Sequence, residues 1–129
     1  MKEPAWITRE ECLAIHEMML AQHGGLAGVR DEGLLESALS KPRNLFAYAK
    51  PAYADMAASY SSGIILNHPF LDGNKRTGFL VAAVFLEVNG YELTATEESV
   101  VENTLGLAGG TLKEKDYAAW LRKNSTRIR

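Results

Sequence analysis

The stretch Asn74-Lys75-Arg76-Thr77-Gly78-Phe79-Leu80-Val81-Ala82-Ala83-Val84-Phe85-Leu86-Glu87-Val88-Asn89-Gly90 decides the fold class. From Phe79 to Val88 it is apolar nearly all round, and such a helix settles in water only when neighbours cover every side. It predicts a helix from about Asn74 to Asn89-Gly90, buried in the middle of a bundle. Its longest apolar run, Phe79 to Leu86, falls far below the ~18 residues that suggest a membrane span, so the covering neighbours are protein.

Helix signals continue on both sides. Upstream, a helix from Ala54 to about Asn67 turns Ala57, Tyr60 and Ile64 to the core, with Ala58 and Ile65 beside them. Pro69 ends it by disfavouring helical geometry at His68. Nearer the N-terminus, Thr8-Arg9-Glu10-Glu11 has capping-box spacing, Leu13, Ile15, Met19 and Leu20 supply an apolar face, and Gly24-Gly25 stops the helix. Asp31 caps a short helix through Leu34, Leu35, Ala38 and Leu39, stopped before Pro42. Residues 43–53 are aromatic and irregular and predict a loop or a short hairpin flap, the main β candidate, with Gly90 to Thr94 a weaker one. Downstream, Thr94 or Thr96 caps a helix through Val100, Val101, Leu105 and Leu107, closed by Gly109-Gly110. A second capping box, Thr111-Leu112-Lys113-Glu114, opens a last helix with Tyr117, Trp120 and Leu121 inside, before a basic, frayed tail from Lys123 to Arg129. The expectation is one all-α domain over residues 1–129: a compact bundle of about six helices around a central apolar helix.

Composition narrows the function classes. The 129 residues are 47% hydrophobic, enough for one domain with a core of its own. With 14 Lys+Arg against 16 Asp+Glu, no strongly basic face is available, so nucleic acid is not expected as a direct ligand. One cysteine, Cys12, permits no internal disulfide, and no Cys/His group has zinc spacing. The start, Met1-Lys2-Glu3-Pro4, has no apolar signal segment, so the cytoplasm is the expected compartment.

One segment exceeds the needs of a plain bundle: Asn67-His68-Pro69-Phe70-Leu71-Asp72-Gly73-Asn74-Lys75-Arg76-Thr77-Gly78. The first N–H groups of a helix have no internal partner and lie at its positive end, which makes an anion site. Gly73 lets the backbone approach a bound group, and Lys75 and Arg76 add two charges where they oppose the helix dipole, typically costing a few tenths of a kcal/mol each. A polyphosphate would offset that cost. Asp72 then suits Mg²⁺, which is commonly held by one or two carboxylates plus substrate phosphates. His68 suits a general base, and Phe70 an apolar anchor for the loop. Each part alone is ordinary: His-Pro ends helices, Asp-Gly-Asn makes turns, and Lys-Arg is usually a solvated pair. Their convergence points to transfer from a nucleotide phosphate to a hydroxyl. A P-loop fits poorly, because Phe79 and Leu80 follow Gly78 where Lys and Ser/Thr are required.

The run His68-Pro-Phe-Leu-Asp-Gly-Asn-Lys-Arg76 resembles the Fic/Doc signature His-Pro-Phe-x-(Asp/Glu)-Gly-Asn-x-Arg at every defined position. Gly28-Val-Arg-Asp-Glu-Gly-Leu-Leu-Glu-Ser-Ala-Leu39 and Phe85-Leu-Glu-Val-Asn-Gly-Tyr91 are similar to the death-on-curing (Doc) branch, so the likeness runs from about Trp6 to Trp120. It implies a compact helical fold whose active loop joins two central helices. By position, His68 would activate a target hydroxyl, Asp72 would hold Mg²⁺, and Gly73, Asn74, Lys75 and Arg76 would form the phosphate-binding anion hole. Residues from Phe46 to Tyr53 match the family's target-docking flap.

Two departures bear on the reaction. AMP-transferring Fic enzymes carry glycine where this chain has Lys75, and a second arginine where it has Phe79. The lysine variant resembles Doc-type toxins, which implies transfer of the γ-phosphate of ATP to a threonine of elongation factor Tu, arresting translation. AMP transfer and a catalytically silent binding module are the alternatives. The inhibitory pattern (Ser/Thr)-x-x-x-Glu-(Gly/Asn) is not met: Thr94 to Glu98 is followed by Ser99, and Glu102-Asn103 has Glu98 at the hydroxyl position. The resemblance therefore implies a separate antitoxin seated in an exposed apolar groove. Trp6, Tyr117 and Trp120 read as packing residues, Cys12 as a small apolar one, His16 and His23 as surface or capping residues, and Arg30-Asp31 as an ion pair or N-cap.

Overall fold

In the computed structural model, which describes residues 2–128, Thr8 opens the first helix as its capping box predicts. The Thr8 hydroxyl accepts the Glu11 N–H at 3.1 Å while the Glu11 carboxylate accepts the Thr8 N–H at 2.8 Å. That helix, α1, spans Arg9–His23 and ends at Gly24, whose φ of +77° suits glycine. Asp31 caps α2, Glu32–Tyr48, by accepting the Leu34 N–H at 3.0 Å.

Pro42 does not stop α2, contrary to expectation, and residues 43–48 continue the helix in place of a loop or hairpin flap. Packing outweighs the lost backbone hydrogen bond. Pro42 is buried, and Leu45 and Phe46 lean on the core. Trp6 meets Phe46 edge to face at 5.8 Å, with the Arg43 guanidinium 5.4 Å above the Trp6 ring. Of the aromatic residues that suggested a flap, Phe46 makes this contact, Tyr53 packs on Phe85 and Tyr91, and Tyr48 is left exposed.

The third helix, α3, spans Tyr53–Asn67 and buries eleven of its 15 residues. It is the centre of the bundle, packing against α2 and against the three later helices α4 (Asn74–Val88), α5 (Glu97–Gly109) and α6 (Glu114–Lys123). This corrects the expectation that Asn74–Val88 would be central. α4 buries Val81, Ala82, Phe85 and Leu86 on one face and leaves Val88 exposed. Small residues explain the exchange: Ala57, Ala58, Ser61, Ser62 and Gly63 let neighbours approach α3 closely. A Cβ on Gly63 would stand 2.9 Å from the Ala38 Cα, and one on Gly78 would stand 2.6 Å from an Ile65 side-chain carbon.

Thr96 caps α5 by accepting the Ser99 N–H at 3.2 Å. Only Thr104 and Leu107 of that helix are buried; Val101 and Leu105, expected inside, are more than half exposed. Lys113, not Thr111, is the N-cap of α6, because the Thr111 hydroxyl is turned back to the Gly106 carbonyl at 3.3 Å. Tyr117 and Leu121 are buried as expected, and Trp120 is half-buried with its indole N–H on the Ser99 hydroxyl at 2.7 Å. Arg129 lies outside the described residues, but the tail before it is not frayed: β2, Ser125–Arg127, pairs antiparallel with β1, Tyr91–Leu93, with Glu92 opposite Thr126. The weaker β candidate near Gly90 is therefore real. Among the described residues, six helices and this two-stranded ribbon make the all-α bundle that the sequence predicts. Among the described residues no helix is long and apolar enough to cross a membrane.

Burial sets the chemistry of two core groups. Cys12 is fully covered, as expected of a small apolar residue, and burial pushes its thiol from 9.0 up to about 12. Burial likewise pushes the Tyr60 hydroxyl, which accepts the Ile7 N–H at 3.0 Å, from 10.0 up to about 12. Between pH 9 and pH 12 the unfolded chain loses these protons while the folded chain keeps them, so stability falls as pH rises. Urea unfolding should show a loss of a few kcal/mol across that window. A thiol reagent should leave Cys12 unmodified until the protein unfolds.

Candidate active site

The loop from His68 to Gly73 joins the C-terminus of α3 to the N-terminus of α4. His68 is the C-cap of α3 and takes left-handed geometry, φ +53° and ψ +58°. Among the described residues it is the one non-glycine residue with positive φ. Such a conformation costs on the order of 1–3 kcal/mol and persists only where surroundings hold it. Pro69 and Phe70 are buried behind it, Phe70 acting as the anchor that its position predicted.

Two side chains hold that anchor. The Asn74 amide accepts the Phe70 N–H and donates to the Phe70 carbonyl, both at 3.0 Å, so one side chain closes the loop like a rung of a sheet. The His16 ring stacks on Phe70 at 3.8 Å and 10°, and its Nε2 lies 2.8 Å from the Asp72 carbonyl. A carbonyl only accepts, so Nε2 carries the proton. His16 is thus buried under the loop, not a surface or capping residue.

The loop then delivers its charged groups outward. Asp72 is exposed; one carboxylate oxygen accepts the Gly73 N–H at 2.9 Å and the other the Leu26 N–H at 3.3 Å. A Cβ on Gly25 would lie 2.9 Å from that second oxygen, so Gly25 makes room for the carboxylate as well as following α1. Gly73, at φ +77°, turns the chain into α4. No side chain caps this helix, and the N–H groups of Asn74, Lys75 and Arg76 find no partner among the described residues. Lys75 and Arg76 are exposed and unpaired by any described carboxylate. Unpartnered donors and two cations therefore share one helix end.

These groups open onto a cleft of about 600 Å³. Asp72, Gly73, Asn74, Lys75 and Arg76 line one end of it, and Met19, Leu80, Val101 and Leu105 give the rest an apolar wall. His23 also borders it, which its reading as a surface or capping residue did not anticipate. His68 stands exposed at the other shoulder of the loop and is not part of the cleft wall. Among the described residues no three His, Cys, Asp or Glu side chains cluster as a metal site. Asp72 alone, with open carboxylate lone pairs beside unpartnered N–H groups, fits a Mg²⁺ that takes its other ligands from phosphates and water.

A strap from Gly28 to Asp31 runs along the loop. Its Val29 pairs with Phe70 as an isolated bridge, and the Leu71 N–H reaches the Gly28 carbonyl at 3.1 Å. The Arg30 and Asp31 N–H groups both donate to the Pro69 carbonyl. The sequence marked Asp31 as a cap but held no signal for the pairing of this strap with the loop, since the partners lie about forty residues away.

A sequence profile described as the Fic/DOC family matches residues 6–86, more than half of the chain, and that span contains the whole loop. The chain belongs to the Fic/Doc family. It is 30% identical over 118 residues to "Protein kinase doc" of Escherichia phage P1, covering 91% of this chain and 93% of that one. It is 37% identical over 93 residues to "Toxin Doc" of Mycolicibacterium smegmatis, covering 70% and 68%. The Fic/Doc loop joins α3, at the centre of the bundle, to α4 packed beside it, where the resemblance implied two central helices, and the flap implied at Phe46 to Tyr53 is helix through Tyr48.

The Fic/Doc loop should therefore lose stability when its internal braces are cut. Asn74→Ala strands both polar groups of the Phe70 backbone and is expected to cost about 2–4 kcal/mol. His16→Phe keeps the stack and loses one hydrogen bond, costing about 1–2 kcal/mol. Urea midpoints at constant m-value test both.

Proposed function

We propose that this Fic/Doc chain is the toxin of a toxin–antitoxin system and a protein kinase, moving the γ-phosphate of ATP to a hydroxyl of a protein target. The observation that carries this reading is the start of α4, where unpartnered N–H groups, Lys75, Arg76 and Asp72 meet in one cleft. The N–H groups of Asn74, Lys75 and Arg76 form the anion hole, Gly73 turns the backbone into it, and the Asn74 side chain shapes it by holding the loop. Asp72 would hold Mg²⁺, which supplies neutralising charge on the phosphate oxygens. The His68 imidazole takes the proton of the target hydroxyl, whose oxygen forms the new bond to phosphorus as the bond to the bridging oxygen breaks. Lys75 and Arg76 stabilise the charge that builds on the transferring group and on departing ADP.

Phosphate transfer is favoured over AMP transfer by Phe79. It is half-buried and lies 6.4 Å from the Trp120 ring, so no guanidinium reaches the far phosphate from that position. The phage P1 relative named as a protein kinase supports the same reading. A threonine of elongation factor Tu is the proposed target, in the cytoplasm, and arrested translation the consequence. Toxin relatives support a cognate antitoxin as partner, and the exposed Val101 and Leu105 beside Met19 and Leu80 suit an apolar segment of it.

Purified protein incubated with ATP, Mg²⁺ and elongation factor Tu should add one phosphate to a threonine, read by mass spectrometry. His68→Ala should lower that rate about 10²–10⁴-fold and abolish growth arrest on expression. A product carrying a whole AMP would instead establish nucleotidyl transfer. Growth arrest undiminished in His68→Ala would establish a binding module.

A further inference from the structure

Arg30 belongs to no part of the signature, yet its side chain is committed to the backbone at His68, 38 residues later. Its Nε donates to the His68 carbonyl at 2.7 Å and its Nη2 to the Asn67 carbonyl at 2.8 Å. Its own backbone N–H donates to the Pro69 carbonyl at 2.7 Å. Three consecutive carbonyls at the end of α3 thus accept from one residue. No described carboxylate pairs with Arg30, and the neighbouring Asp31 carboxylate is turned to the Leu34 N–H. The ion-pair reading of Arg30-Asp31 is therefore replaced: Asp31 caps α2, and Arg30 serves the loop.

The geometry of this clamp is specific. The Asn67 carbonyl lies in the peptide plane before the His68 Cα, and its direction follows φ of His68. The His68 carbonyl lies in the plane after it, and its direction follows ψ. A guanidinium is a rigid planar fork, so gripping both carbonyls sets both dihedral angles together. Those are the angles that hold His68 in the left-handed region, which non-glycine residues seldom occupy. A cation also suits the negative end of α3.

We propose that Arg30 is a positioning residue for His68, clamping the two peptide planes on either side of its Cα and so setting where the imidazole stands. This rests on the reading of His68 as the group that takes the hydroxyl proton. Lysine keeps the charge but replaces the rigid fork with one mobile ammonium, so it holds the two planes poorly. Misplacing a reacting group by about 1 Å costs about 10²-fold in rate.

The test compares the wild type, Arg30→Ala and Arg30→Lys for phosphate transfer to elongation factor Tu. In parallel, the backbone ¹³C shifts of labelled His68, which report φ and ψ, are measured without substrates. Arg30→Ala should lower kcat about 10²-fold and leave KM for ATP and target within about 2-fold. Arg30→Lys should recover less than about a tenth of the lost rate. The His68 shifts should leave left-handed values in Arg30→Ala, with circular dichroism unchanged. Unaltered kcat in Arg30→Ala, unaltered His68 shifts, or full recovery by lysine would each overturn the clamp. So would loss of the whole fold in both variants, which would make Arg30 a staple of the bundle. A wild type that transfers nothing would overturn the proposed reaction instead, and the His68 shifts would then decide the clamp by themselves.

Discussion

Backbone-to-backbone contact around α3 is the constraint on which the rest depends. Gly63 sits against Ala38 of α2, and Gly78 of α4 sits against Ile65, at spacings that exclude even a methyl group without displacement. At the second contact the Ser61 hydroxyl donates to the Gly78 carbonyl at 2.7 Å, tying α3 to the first turns of α4. Because the helices run so close, six residues suffice to connect them. The end of one helix dipole and the start of the next therefore lie side by side. This close packing explains why α3, rich in alanine and serine, occupies the centre while α4, with its run of larger apolar side chains, lies beside it.

The loop at that junction uses opposite solutions at its two ends. At the negative end, where α3 stops, a guanidinium covers the last carbonyls. At the positive end, where α4 starts, nothing within the described chain satisfies the N–H groups, and two cations deepen the deficit of negative charge. One end is completed by the protein itself; the other is left for an anion. Between them, Phe70 is held by an amide, a stacked imidazole and a bridge to Val29, so the polar groups around it rest on a rigid base.

Much of this was legible locally. A capping box at Thr8, the Asp31 carboxylate and the hydroxyl of Thr96, one of two threonines the sequence offered, opened α1, α2 and α5, since a cap involves groups three residues apart. The misreadings share one cause. Pro42 reads as a helix stop, and Thr111 as a cap, by local chemistry alone; burial of α2 and the turn back to Gly106 override them. Val101 and Leu105 read as core by their apolar character, whereas the fold turns them to the cleft.

The candidate site divides in the same way. Sequence by itself determined which residues occupy the junction, from His68 to Arg76, and that they lead into the positive end of a helix, because these follow from residue type and short spacing; that no side chain caps that end is a finding of the structure. It also determined the family, through a run of nine mixed residues. Only the tertiary structure decided what holds that run in shape. His16 lies 56 residues from the Asp72 carbonyl it bonds, and Arg30 lies 38 from the His68 carbonyl. No local period records such pairs: they exist because close packing around α3 brings α1, the Gly28–Asp31 strap and the loop to one place.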